Sequence, residues 1–339
     1  PDIGPAIIEA ALRDIIRTWE DALQEAAVAS GAEAELARVA KLFPESYRNS
    51  FSPAEALLDA RRIVSITPEN PIAIDYYRHA GQPLEQAALK IYHYGTPVAL
   101  SRRVPMLENI GFRVISERTF EVGEVGEVGE VGEEGGKTVF VHDMELENAY
   151  GKPIDLADGG GLFEGVFLSV WRGEADNDSY NSLAQTAGLR SRDITVLRAY
   201  GRYLQQVGIP QSQDFIAAVL NRYPEIARAL YEIFVARFDP KGKDGEVAVK
   251  HLKSQIRDAL ENVPSLDDDT IIRRYLNLLD ASLRTNHFVP DLKPGVLLAI
   301  KLDPRAIDGM PEPKPWRDLL PPREAELLQG ADVHPADVE

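Results

Sequence analysis

The stretch that decides the fold is 71-PIAIDYYRHAGQPLEQAALKIYHYGTPVALSRRVPMLENIGFRVISERTFEV-122, continued by 137-KTVFVHDMEL-146. Ile72, Ile74 and Tyr76 alternate with other residues, as a half-buried strand requires. Ala87–Tyr94 (AALKIYHY) is a second strand segment. The period then changes. Leu100, Val104, Leu107 and Ile110 fall on one face of a helix over 98–110, with Ser101 or the turn before it as the cap. Gly111 ends that helix. Phe112–Val122 and Lys137–Leu146 read as two further strands that pair with each other, and Leu162–Trp171 returns to helical spacing. The order β–β–α–β–β–α predicts an α+β module with helices on one face of an antiparallel sheet.

Between the last two strands lies 121-EVGEVGEVGEVGEEGG-136, in which VGE recurs four times with six Glu and no basic residue. A three-residue unit buries no face, so a solenoid is excluded and an extended acidic hairpin loop is expected. Upstream, Ile8, Leu12, Ile15, Ile16, Trp19 and Leu23 make a helical stripe that Gly31 ends. Ala32–Lys41 and Pro53–Arg62 offer two more helices, the second with Pro in its first turn. Downstream of Arg192 the pattern is helical. Ile194, Leu197, Leu204 and Val207 form one stripe, followed by helices over 215–220 and 226–238. Val249, Leu252, Ile256, Leu260 and Val263 form another, and a helix capped by Ser265 carries Ile271, Ile272, Tyr275, Leu278 and Leu279. Val296–Leu302 reads as a strand, and the residues after Pro304 as a Pro-rich linker or tail. The expected division is a helical region over 1–70, an α+β module over 71–190, a helical domain over 191–290, and a strand with tail over 291–339.

Composition narrows the function classes. The chain has 339 residues, enough for two or three domains, and 44% hydrophobic residues, enough for a sizeable core. Cys is absent, which removes disulfides, thiolate nucleophiles and Cys-based metal sites. The net charge is −17 with no dense Lys/Arg run, against nucleic-acid binding. No apolar stretch reaches the ~20 residues of a membrane span. The acidic N-terminus is no signal peptide, so the cytoplasm is the expected location, and the missing initiator Met points to a processed or excised start.

The usual chemical motifs are missing. The six His (79, 93, 142, 251, 287 and 334) offer no pair at helix-face ligand spacing, and each reads as an ordinary lone side chain. The glycines from Asp158 to Gly165 lack the signature of a phosphate loop, and the acids Asp158 and Glu164 would repel phosphate. Asp267, Asp268 and Asp269 lack calcium-loop spacing and suit a first helical turn. The polar run from Trp171 to Asn181 favours turns, and no nucleophile is aligned with its carboxylates.

A series of strings in fixed order resembles the large NAD-specific glutamate dehydrogenases. Leu42-Phe-Pro-Glu-Ser-Tyr47 resembles an FPxxY segment of that family. Pro97-Val-Ala-Leu-Ser101 with Val104-Pro-Met-Leu-Glu-Asn-Ile-Gly-Phe112 resembles its PLSxxxPxLENxG helix, followed by Val114-Ile-Ser-Glu117. Phe163-Glu-Gly-Val-Phe167, Val170-Trp171, Asn177-Asp-Ser-Tyr-Asn181, Ala187-Gly-Leu189, Arg192, Leu197-Arg-Ala-Tyr200 and Tyr203-Leu-Gln-Gln206 continue the series. Arg237-Phe-Asp-Pro240, Val263–Asp269, Leu283-Arg-Thr-Asn286 and Lys301-Leu-Asp-Pro304 complete it.

The resemblance implies a parent enzyme that oxidises L-glutamate to 2-oxoglutarate and ammonium with NAD. It also implies an ACT-like α+β regulatory module followed by a helical region. The likeness covers residues 42–315, and Trp316–Glu339 matches none of the expected catalytic strings, so the chain is expected to stop before the catalytic domain. No catalytic, cofactor or metal residue carries over. The family habit points to Tyr94, Gly95, Thr96, Asn109 and Gly111 as an effector site, although a strand-to-helix turn and a helix end explain these residues equally well. The implied partners are the catalytic domain of the same enzyme, an amino-acid effector and further copies in a homo-oligomer. The competing reading is a stand-alone sensing or interaction protein that kept only this fold.

Overall fold

The computed structural model describes residues 17–32, 34–125, 137–156, 160–242, 244–289, 298–312, 314 and 318–320. The chain divides into two compact units, residues 1–105 with 112–156 and residues 106–111 with 157–339. It is mixed α+β, with twelve α-helices among the described residues.

The first unit opens with α1 (Trp19–Ser30), α2 (Ala34–Ala40), α3 (Glu45–Arg48) and α4 (Pro53–Val64). Local chemistry sets the ends of these helices. Thr18 and Asp21 form a reciprocal capping box on α1, and Gly31 closes it at φ +62°, a conformation open to glycine without strain. Ser52 and Glu55 repeat the box on α4, with Pro53 in its first turn. The part of the first helical stripe at Ile8, Leu12, Ile15 and Ile16 lies outside the described residues.

β1 (Ile72–Tyr77), β2 (Gln86–Tyr94), β3 (Phe112–Val125) and β4 (Lys137–Asn148) follow, with α5 (Leu100–Ile110) joining β2 to β3. The strands form one sheet in the order β1-β2-β4-β3, with every neighbouring pair antiparallel. The expected pairing of β3 with β4 runs from Phe112 opposite Asn148 to Val125 opposite Lys137. β3 therefore extends into the VGE tract, and residues 126–136 of that tract lie outside the described residues.

Alternation along the strands separates two faces. Ile74, Ile91, His142 and Thr119 lie across one face, and Tyr92, Val141 and Phe120 across the other. The second face shares one core with Leu23, Val39, Phe43, Tyr47, Leu57 and Ile63 of the N-terminal helical region. The first face receives the start of α5, through bonds described below. Helices thus serve both faces of the sheet, not one face as expected. The reason lies in β2, which is buried from Ala87 through Tyr92. A strand with no wet side needs cover on both sides.

The second unit contains α6 (Gly160–Trp171), α7 (Leu183–Ala187), α8 (Ser191–Gln206), α9 (Gln213–Arg222), α10 (Pro224–Phe238), α11 (Gly245–Leu260) and α12 (Leu266–Ala281). A small antiparallel sheet of β5 (Ser282–Thr285), β6 (Ile300–Leu302) and β7 (Asp318–Leu320) completes it. β6 is the expected strand; residues 296 and 297 of that reading are outside the described ones. β5 and β7 were not expected, because strands of three or four residues are too short to show a period.

Gly201 fixes the packing at the centre of α8. A Cβ placed there would meet the Tyr180 hydroxyl at 2.0 Å and the Tyr275 hydroxyl at 2.7 Å. Alanine in place of an interior helical glycine normally stabilises by about 0.5–1 kcal/mol. Here Gly201→Ala is expected to destabilise by about 1–3 kcal/mol, because overpacking outweighs the propensity gain. Chemical denaturation of the purified variant checks the sign.

Among the described residues, no helix is long and apolar enough to cross a membrane.

Candidate functional site

The turn between β2 and α5 holds three of the expected effector residues. Tyr94 ends β2, and its N–H donates to the Pro71 carbonyl at 2.9 Å. Gly95 adopts φ +90°, and its N–H donates to the Thr138 carbonyl at 2.8 Å. The positive φ is the physical reason for glycine at this position. Thr96 is exposed, and its carbonyl accepts from His93 Nδ1 at 2.6 Å. The turn is therefore held by two backbone bonds and the His93 ring, and leaves Thr96 at the surface.

Beneath it runs a polar relay on the first face of the sheet, anchored on the buried side chains of His142 and Arg103. The Val98 N–H donates to His142 Nε2 at 3.0 Å. That contact makes Nε2 an acceptor, so the proton of the neutral ring sits on Nδ1. Nδ1 lies 2.8 Å from Thr119 Oγ1, and the Thr119 hydroxyl donates onward to Glu117 Oε1. Arg103 closes the chain by donating from Nη2 to Glu117 Oε1 at 2.6 Å. Burial, reinforced by the Arg103 charge, lowers the His142 pKa to about 4, against the opposite pull of Glu117. The imidazole is neutral at pH 7 and serves as the acceptor for an N–H just ahead of α5. Burial also lowers the Arg103 pKa, and Glu117 offsets this.

The remaining two effector candidates belong to the second unit. Asn109 donates from Nδ2 to Asn177 Oδ1 at 3.0 Å, and its carbonyl accepts from Ser182 Oγ at 2.8 Å. Gly111 takes φ +98°, and its N–H donates to the Glu108 carbonyl at 2.9 Å, closing α5. Asn109 and Gly111 thus have structural work at the end of the helix.

A second buried network lies on the opposite face of the sheet. Asp59 of α4 accepts from Lys90 Nζ at 2.6 Å, from the Tyr92 hydroxyl at 2.8 Å and from the Tyr47 hydroxyl. The Lys90 ammonium also stands 3.7 Å from the Phe51 ring centre. Burial pushes the Asp59 carboxyl above the usual carboxylate range, while Lys90, Tyr47 and Tyr92 pull it back. Nearby, Asp143 accepts from the Tyr77 hydroxyl at 2.6 Å and from Arg118 at 2.7 Å. These groups are saturated by one another, the arrangement expected of a structural polar core.

The other polar runs resolve into ion pairs. Arg198 grips Asp178 with two bonds, at 2.7 and 2.9 Å, and Arg202 pairs with Asp176 at 3.0 Å. Of the three consecutive aspartates, Asp268 is buried against Arg222 and Tyr223, Asp269 pairs with Arg273 at 2.8 Å, and Asp267 accepts from Gln211 at 3.2 Å. Residues 157–159 of the glycine run lie outside the described ones, and Gly160 already begins α6. Among the described residues, no group of three or more His, Asp or Glu side chains gathers as a metal site.

The relay and the Asp59 network lie outside what the sequence leads one to expect. His142 and His287 were read as ordinary lone side chains, yet both are buried. For His142 and Lys90 the signal lies in the flanking residues. His142 sits in VFVHDMEL, and Lys90 in AALKIYHY, so each polar residue interrupts a strand-like apolar run.

The four-stranded sheet, its crossover helix and the helical regions around it define an ACT-like α+β module set between helical segments. Residues 71–158 match the model described as glutamate dehydrogenase, ACT3 domain. Residues 27–66 and 175–240 match helical motifs 2 and 3 of glutamate dehydrogenase. Residues 255–323 match the catalytic domain of bacterial NAD-glutamate dehydrogenase.

The chain is 36% identical to an NAD-specific glutamate dehydrogenase of Halomonas elongata over 335 residues, covering 96% of this chain and 20% of that protein. It is 33% identical to the Pseudomonas aeruginosa protein of the same description, covering 98% of this chain and 21% of that one. The Mycobacterium tuberculosis protein is 31% identical, over 92% of this chain and 19% of its own length. The chain belongs to the NAD-specific glutamate dehydrogenase family and spans about one fifth of the length of the curated relatives it matches. Two expectations are corrected. The likeness is not confined to residues 42–315, and the catalytic-domain match begins inside the chain, at residue 255.

Proposed function

We propose that this chain is a regulatory and structural segment of an NAD-dependent glutamate dehydrogenase, whose whole converts L-glutamate and NAD to 2-oxoglutarate and ammonium. The segment itself supplies no catalytic residue and no NAD site. Its partners are the catalytic domain of the same enzyme and other copies in a homo-oligomer, in the cytoplasm. The observation that carries this reading is the succession of a helical motif, an ACT module, a second helical motif and the beginning of a catalytic domain within one fifth of the relatives' length. The Asp59 network supports it, because Lys90, Tyr47 and Tyr92 all donate to that one carboxylate, an arrangement that serves packing.

The turn at Tyr94, Gly95 and Thr96 is proposed as the place where an amino-acid effector binds, with Asn109 and Gly111 as the further candidates. Calorimetry of the chain against the common amino acids tests this. Heat is expected from at least one of them, weakened by Thr96→Val. No heat from the whole panel, at protein concentrations able to detect binding of ~1 mM, removes the sensing role. Absorbance at the NADH band tests the other half. The chain with glutamate and NAD is expected to stay silent, and turnover overturns the claim that it lacks a catalytic site.

A further inference from the structure

Two buried arginines differ in how their guanidinium groups are met. Arg198 and Arg103 are each 2% exposed. Every nitrogen of Arg198 donates: Nε to Asp178, Nη2 to Asp178 and Asn181, and Nη1 to Thr195. From Arg103 only Nη2 donates, to Glu117 Oε1 at 2.6 Å. Its Nε and Nη1 are enclosed and meet no acceptor among the described residues. Idle donors on a buried cation cost free energy, so their retention points to an acceptor from outside the chain.

Glu117 is not free to turn and fill the gap. Its Oε1 also accepts from the Thr119 hydroxyl, which lies 2.8 Å from His142 Nδ1. Two donors thus fix one oxygen of the carboxylate, while Oε2 accepts from no described residue. The Glu117 side chain is 20% exposed, which brings solvent within one hydrogen bond of the guanidinium. A long helical side chain lies over the turn N-terminal to its own Cα. For Arg103 that turn begins at the exposed Ala99 and Leu100, close in sequence to Thr96.

We propose that Arg103 and Glu117 recognise the charged end of a free amino acid, Arg103 taking its α-carboxylate and Glu117 its α-ammonium. A ligand carboxylate offers the guanidinium the charged acceptors that a single glutamate oxygen leaves unmet. The ammonium meets Oε2. Arg103, Glu117, Thr119 and His142 all belong to the first compact unit. The proposal rests on the sensing role set out above, and supplies charged contacts that Tyr94, Gly95 and Thr96 do not carry.

Nuclear magnetic resonance of the full chain with isotope-labelled arginine tests this, read at the Nε–H signal that Arg103→Lys removes. Glycine carries both charged groups, and acetate only the carboxylate. Glycine, titrated to tens of millimolar, is expected to move the signal saturably. Acetate is expected to do so about ten-fold more weakly, because it lacks the contact with Glu117. In Glu117→Gln the two affinities are expected to converge. A signal that neither probe moves overturns the role of Arg103, and equal affinities in the wild type overturn that of Glu117. Should Arg103→Lys fail to fold, Glu117→Gln shifts and so identifies the same signal, and the ratio of the two affinities still decides. The calorimetric panel separates this proposal from the reading beneath it. Heat from any amino acid alongside an unmoved Arg103 signal removes the pair and leaves sensing, whereas silence of the whole panel removes both.

Discussion

Asp59→Ala is expected to cost about 3–5 kcal/mol of stability, because it strands a buried ammonium. Lys90 and Asp59 have side chains only 4% and 5% exposed. Without the carboxylate, Lys90 keeps only the ring faces of Phe51, Tyr77 and Tyr47 as partners. Those contacts are worth about 2 kcal/mol or more when desolvated, which offsets part of the loss. The hydroxyls of Tyr47 and Tyr92 lose their acceptor in the same stroke. Urea unfolding followed by circular dichroism measures the loss. The double variant Asp59→Leu with Lys90→Met is expected to recover most of it, since apolar side chains of similar volume replace a buried ion pair at little cost. A single variant within about 1 kcal/mol of wild type would mean the pair is solvated, as exposed pairs are.

Acidification from pH 6.5 to 4 is expected to remove on the order of 3 kcal/mol for each of two histidines. His142 and His287 are 1% and 5% exposed, and burial lowers the pKa of each to about 4 from the ordinary 6.5. For His142 the Arg103 charge adds to burial, and for His287 Arg192 and Arg190 do, while Glu117 and Asp193 oppose them. Both groups have a folded pKa below the unfolded one. Within the window the unfolded chain binds a proton that the folded chain refuses, so stability falls as pH falls and flattens below pH 4. The slope is about 1.4 kcal/mol per pH unit for each histidine. Denaturation at half-unit pH steps measures it. His287 packs against the rings of Phe234 and Phe288, so His287→Phe keeps an apolar ring there and is expected to remove one histidine's share of the slope. An unchanged slope would place His287 in water.

Most of the fold was legible in the residues. The alternation at Ile72, Ile74 and Tyr76 and the helical stripe from Leu100 to Ile110 mark elements that the structure contains at those places. Gly31 and Ser265 mark a helix end and a helix start because their chemistry is local. β5 and β7 escaped because so few residues carry no period. The second helical face of the sheet escaped because an apolar run such as AALKIYHY announces burial without saying what covers it.

The candidate site was half legible. The Gly95 turn and the Gly111 helix end follow from glycine itself, since both take positive φ. The relay does not follow from any local string. Val98, Arg103, Glu117, Thr119 and His142 are spread over more than forty positions of chain, and only strand pairing sets Thr119 opposite His142.

The sequence alone determined the order of elements, the acidic surface, the absence of thiol chemistry and the family, because composition, periodicity and motif order are properties of the chain. The tertiary structure alone decided which polar residues are buried and what holds them. Asp59 meets Lys90 across thirty-one residues, and one helix, α5, is divided between two compact units. Burial of a charge is tolerated only where distant partners meet it, and no local pattern records which partners those are.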